Sequence, residues 1–122
     1  MVFLKFSFWY LFRVVRSVAV KVSVNGISVS GRDLNFLSVT EIVLQIAAGE
    51  TTAVAVTEAC LARIEARESD LRAWAFVDHG LALQQAHARD RDTPCGLLHG
   101  VPLGVKDIID THDMPTEMGS PI

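Results

Sequence analysis

The residues most able to do chemistry lie close together near the carboxyl end, in GLLHGVPLGVKDIIDTHDMPTEMGSPI, Gly96 to Ile122. Val101 to Ile109 is an apolar run rich in β-branched residues, with Gly100 and Pro102 at its entrance. A run of this length bounded by turn residues predicts a buried strand. Pro102 cannot donate to a ladder, so it belongs at the first strand position or on an edge. Lys106 breaks the pattern. Strand alternation puts it on one face with Gly104 and Ile108 and turns Asp107 to the other. A lysine held at the end of a buried strand can serve as a proton acceptor when its surroundings disfavour the ammonium. On residue types alone the plainer reading is preferred: a long cationic side chain that snorkels to water. A Schiff-base lysine is a further option, but nothing else in the chain matches such a site.

The segment resembles the amidase signature family, serine hydrolases of amide bonds that use a Ser-cis-Ser-Lys triad. The likeness rests on Leu98-His99-Gly100-Val101-Pro102, Val105-Lys106-Asp107, Pro115-Thr116 and Gly119-Ser120, and extends more weakly back to about Leu37. It implies that Lys106 is the catalytic base of the triad and that a small-molecule amide is the substrate of the full-length relative. It implies no cofactor. Ile108-Ile109 departs from the Asn and branched residue of many relatives. The family's bridging and nucleophilic serines lie in a Gly/Ser-rich signature after the lysine. The 122 residues contain no such stretch, so the chain is expected to be a truncated amino-terminal fragment of an amidase, inactive alone. Ser120, of the Gly119-Ser120 pair, could replace the nucleophile in a Ser-Lys dyad, but a loop serine is more often a turn or capping residue. Gly119-Ser120-Pro121 looks more like the general amidases than the A subunit of the glutamyl-tRNA amidotransferase, which stands as the alternative within the family.

Elements able to position this segment are legible upstream. Ser38-Val39-Thr40-Glu41 is a capping box, and Val39, Ile42, Val43, Ile46 and Ala47 then fall on one helical face that Gly49 ends. Thr51 or Thr52 caps a second helix with the stripe Val56, Cys60, Leu61 and Ile64, expected to pack antiparallel to the first. Ala73 to Val77 is a short strand, and Asp78 caps a third helix from Gly80 to about Arg91 with Leu83 and Ala86 inward. Parallel strands joined by crossover helices are the expected α/β arrangement, similar to the amino-terminal part of the amidase-signature α/β/α fold. His79 and His87 have no metal-ligand spacing, so no metal site is expected.

Charge divides the chain. Residues 1–37 hold five of the eleven Lys and Arg with Asp33 as their one acid, while residues 38–122 set thirteen acids against six bases. The first part therefore reads as an unrelated extension, the second (38–122) as the amidase-like domain. The acidic part argues against nucleic-acid binding. Val18 to Val24, Asn25-Gly26 and Ile27 to Val29 predict a β-hairpin over about Ser17–Ser30. Residues 1–16 contain no uncharged run long enough to span a bilayer. An amphipathic helix lying on a membrane surface, with Lys5, Arg13 and Arg16 at the headgroups, is the alternative role for that stretch. Cys60 and Cys95 form no C-x-x-C motif, and a reduced, cytoplasmic setting is expected. A reading from another class is a non-catalytic helical module that binds a partner through the Val39/Ile46 and Cys60/Ile64 faces.

Overall fold

Ser38 starts the first helix in the way its sequence dictates. In the computed structural model, which describes residues 2–6 and 34–119, a short 3-10 turn at Leu34–Phe36 leads to α1, Val39–Ala48. The Ser38 hydroxyl accepts from the Glu41 amide (3.3 Å) while the Glu41 carboxylate accepts from the Ser38 amide (2.7 Å). Both are amides the helix itself leaves unpaired. Gly49 ends α1 at φ +72°, donating to the Ile46 carbonyl. The expected apolar face is only partly used: Ile42 is buried and Val43 and Ile46 half-buried, but Val39 and Ala47 are exposed. Val39 sits in the opening turn and Ala47 at the margin of the arc, beyond the line where α1 meets the core.

Thr52 caps α2, Ala53–Leu71, accepting from the Ala55 amide at 3.0 Å. Val56 and Leu61 are buried as the stripe predicts, with Cys60 and Ile64 half-buried. Two apolar clusters meet on this helix. One joins Ala53 and Leu61 to Ala82 and Ala86, and the other joins Val56 and Ala59 to Leu34, Ile42 and Val101. The more extensive helix neighbour of α2 is therefore not α1 but α3, His79–Arg91. The alanines explain the preference, since small side chains let two helix backbones approach closely. Arg72 ends α2 in the left-handed region, and the Glu68 carboxylate accepts from the amides of Ala73 and Trp74 (3.2 and 3.0 Å). That directs the chain into β2, Trp74–Phe76. Asp78 then caps α3 by accepting from the Leu81 amide at 2.9 Å.

The sheet departs most from expectation. Its order is β2-β1-β3, with β1 being Val2–Phe6 and β3 being Pro102–Lys106. β1 runs parallel to β3, pairing Val2 with Pro102 through to Phe6 with Lys106, and antiparallel to β2. Hence β2 and β3 are not parallel neighbours joined by a crossover; they flank β1 and run in opposite senses. Val2–Phe6 belongs to the segment expected to stand apart, and it is a strand rather than the start of a membrane-surface helix. Its valine and phenylalanines favour a pleated conformation, and a two-stranded pairing is marginal without a third strand. The hairpin expected over Ser17–Ser30 lies outside the described residues. No helix among the described residues is long and apolar enough to cross a membrane.

Candidate active site

The site is built on β3 and the two loops that bracket it. His99 and Gly100 fix the entrance. His99 is buried, with Nε2 2.9 Å from the Arg89 carbonyl and Nδ1 accepting from the Cys95 amide at 3.3 Å. Gly100 sits at φ +78° where a Cβ would stand 3.0 Å from Ile46 Cδ1 and 3.1 Å from Ala53 Cβ. Only glycine combines that dihedral with that closeness. The amino terminus of α2, against which Gly100 lies, is held by a second contact. The Asp90 carboxylate reaches across from α3 to accept from the amides of Ala53 (2.6 Å) and Val54 (3.1 Å). A carboxylate there satisfies orphan donors and complements the helix dipole. So α1, α2 and α3 together locate the first residue of β3.

Pro102 occupies the first strand position, as its missing donor requires. The strand then departs from the fully buried run predicted over Val101–Ile109. Leu103 and Gly104 are exposed, Val105 is buried, and Lys106 is half-buried at the last position. Beyond it the chain turns, the Ile109 amide donating to the Lys106 carbonyl at 3.0 Å, so Ile108 and Ile109 are exposed rather than strand residues. Lys106 thus shares no strand face with Ile108.

Asp107 explains the early turn. Instead of alternating to the far face of a strand, it is 1% exposed and closes the following loop on itself. One carboxylate oxygen accepts from the Glu117 amide (3.1 Å) and the other from the Gly119 amide (3.2 Å), while its carbonyl accepts from Met118 (3.2 Å). Met118 and Gly119 both have positive φ, +54° and +68°. The turn made there brings the Glu117 and Gly119 amides to the carboxylate and the Met118 amide, between them in sequence, to the carbonyl. Thr111 and Thr116 hydroxyls donate to the Met114 and Ile109 carbonyls, and Gln85 on α3 donates to Asp113 at 2.9 Å. The result is a lysine at a strand terminus followed by a loop tied back to the adjacent residue. Sequence reasoning placed Lys106 at a strand end but missed the clamp; its signals were the carboxylate directly after the lysine and Gly119. Ser120 lies outside the described residues. Among the described residues no group of three or more His, Cys, Asp or Glu is arranged to hold a metal ion.

Known proteins match this part of the molecule. The profile of the amidase family, described as Amidase, covers residues 55–122, more than half of the chain and all of β3 and its clamped loop. The chain belongs to the amidase family. The A subunit of the glutamyl-tRNA(Gln) amidotransferase of Streptomyces coelicolor is 49% identical over 94 residues, 74% of this chain and 19% of that protein. The protein of the same description from Chloroflexus aggregans is 44% identical over the same shares. The protein described as "Putative amidase AmiD" from Mycobacterium tuberculosis is 42% identical over 90 residues, 70% of this chain and 19% of its own length. The chain therefore spans about a fifth of the length of these curated relatives. No solved structure matches.

Proposed function

We propose that this chain carries the general-base segment of an amide carbon–nitrogen hydrolase, the amino-terminal part of an α/β/α amidase-signature domain, with Lys106 as the base. The observation that supports the reading is the coincidence of the family match over residues 55–122 with Lys106 at the end of β3, beside a buried carboxylate that fixes the next loop. In the family's chemistry a neutral lysine takes a proton from a bridging serine, which takes one from the nucleophilic serine that attacks the amide carbonyl. A half-buried position at the end of a strand suits that role, because the strand fixes the backbone from which the amine meets a serine hydroxyl. Proton transfer between side chains is all the reaction asks of Lys106, and no cofactor enters the step. A reduced, cytoplasmic setting fits the two free cysteines.

Residues 1–122 do not include the family's Gly/Ser-rich signature, so what these residues contribute to the triad is the base, Lys106. Triad members act as a unit, and a base without its serines gives almost none of the rate enhancement. A polypeptide of residues 1–122 by itself is expected to hydrolyse simple aliphatic and aromatic amides at the background rate and to escape labelling by a fluorophosphonate. Labelling that vanishes in both Lys106→Ala and Ser120→Ala would instead make Ser120 the nucleophile of a Ser-Lys dyad and overturn this division of labour. A second reading draws on the 49% identity to the A subunit of an amidotransferase: the same segment serving a transferase that acts on glutamyl-tRNA(Gln). The base and its strand are common to both readings.

A further inference from the structure

A nucleophile and a base are paired on the loop between α3 and β3, at the entrance to the strand that carries Lys106. His99 Nε2 is 2.9 Å from the Arg89 carbonyl, and a carbonyl can only accept. The Nε2 nitrogen therefore carries the ring proton and Nδ1 presents a lone pair. Burial and the Arg89 bond leave the ring little freedom to turn away. Among the described residues both donors that meet the lone pair belong to Cys95: its amide at 3.3 Å and its Sγ at 3.8 Å. Of these two donors only the thiol can give up its proton. A nucleophile within reach of a base, with the base oriented by a third group, is the arrangement that activates cysteine for attack. Cys95 is also exposed, so an electrophile can reach the sulfur. The other cysteine provides a contrast within the same chain. Cys60 is half-buried on α2, and burial pushes its thiol above the usual 9.0.

We infer that Cys95 is a nucleophilic thiol served by His99, and that it is the chain's site for exchange with disulfides of low-molecular-weight thiols. In the step, Nδ1 takes the thiol proton as Cys95 Sγ attacks one sulfur of the disulfide. A bond forms between Sγ and that sulfur, and the original sulfur–sulfur bond breaks. The departing thiolate takes the proton back from Nδ1. Cys95 is oxidised to the mixed disulfide, half of the reagent is reduced to a thiol, and His99 returns to its starting tautomer.

The test uses the full chain and a dithiobis-nitrobenzoate probe, an aromatic disulfide whose departing thiolate is coloured. Rates are measured for the native and the urea-unfolded protein, each divided by the rate of glutathione in the same solvent. In the Cys60→Ser variant, which isolates the Cys95 phase, the native chain should react at least roughly tenfold faster than the unfolded one. Cys95→Ser should remove the fast phase from the native protein. His99→Gln should bring the Cys95 rate down to the unfolded value with the thiol still exposed. A native Cys95 that reacts no faster than the unfolded one overturns the inference, as does a fast phase that survives His99→Gln unchanged. Should His99→Gln fail to fold, the native-to-unfolded ratio of the histidine-containing chain decides alone.

Discussion

Replacing Asp107 by alanine removes the carboxylate on which the loop after Lys106 closes. Two backbone amides, Glu117 and Gly119, donate to it at 3.1 and 3.2 Å, and the side chain is 1% exposed. Hydrogen bonds to a charged group contribute roughly 1.5–3 kcal/mol each, so two would reach about 3–6 kcal/mol. Residues Glu117 and Gly119 are themselves exposed, and water can meet part of their need once the carboxylate is gone. The expected loss is therefore about 2–4 kcal/mol, concentrated in residues 107–119. Asp107→Asn keeps an acceptor for one amide but turns an NH2 toward the other, so it should lose about half as much. Amide hydrogen exchange reads this directly. Protection at Glu117, Met118 and Gly119 should fall by at least roughly thirtyfold in Asp107→Ala, with the α2 amides much less affected. Unchanged exchange at those three amides, with a urea midpoint equal to the parent's, would refute the clamp.

Other perturbations test the elements that carry the site. Gly100→Ala forces a Cβ at φ +78° against Ile46 and Ala53, which should cost about 2–4 kcal/mol by combining left-handed strain with overpacking; the urea midpoint measures it. The Glu41 carboxyl is held below its usual 4.5 by hydrogen bonds from the Ser38 hydroxyl and amide. A lowered folded-state value means the capping contribution is present above about pH 4.5 and lost as pH falls through the folded value. Helicity of α1 should therefore decline below that range in the parent and be insensitive to it in Glu41→Gln. Deleting residues 1–6 should lower the strand signal in circular dichroism, since β1 is the shared partner of β2 and β3; an unchanged spectrum would restore the separable extension.

Features written in local sequence were legible. Ser38 with Glu41, Asp78, Gly49 and Pro102 each act within a few residues of themselves, as does the cap of α2, left between Thr51 and Thr52 by the sequence and found at Thr52; backbone donors and dihedral limits decide the outcome there. Lys106 was found at a strand end because an apolar run and its break are likewise local. What escaped the sequence depends on distant partners. Nothing near Asp90 announces that it caps a helix starting at Ala53, and nothing near Val2–Phe6 says that it lies between Trp74–Phe76 and Pro102–Lys106. Charge separated residues 1–37 from the remainder, yet backbone pairing takes no account of charge. Asp107 was misplaced for a related reason. Strand alternation assigned it a face, but the strand ends one residue earlier, where amides from residues 117–119 offer its carboxylate a better environment than a sheet face.

Transplantation tests the proposed role of Lys106 as the base of an amide hydrolase. Residues 55–122 replace the matching segment of an active amidase relative, and kcat and KM for amide hydrolysis are measured with lysine and with alanine at position 106. General-base catalysis contributes about a hundredfold to ten-thousandfold. If Lys106 is the base, the transplant hydrolyses amides and Lys106→Ala lowers kcat by about a thousandfold, with KM changing by less than about threefold. A folded transplant whose kcat is the same with alanine as with lysine at position 106 would contradict it.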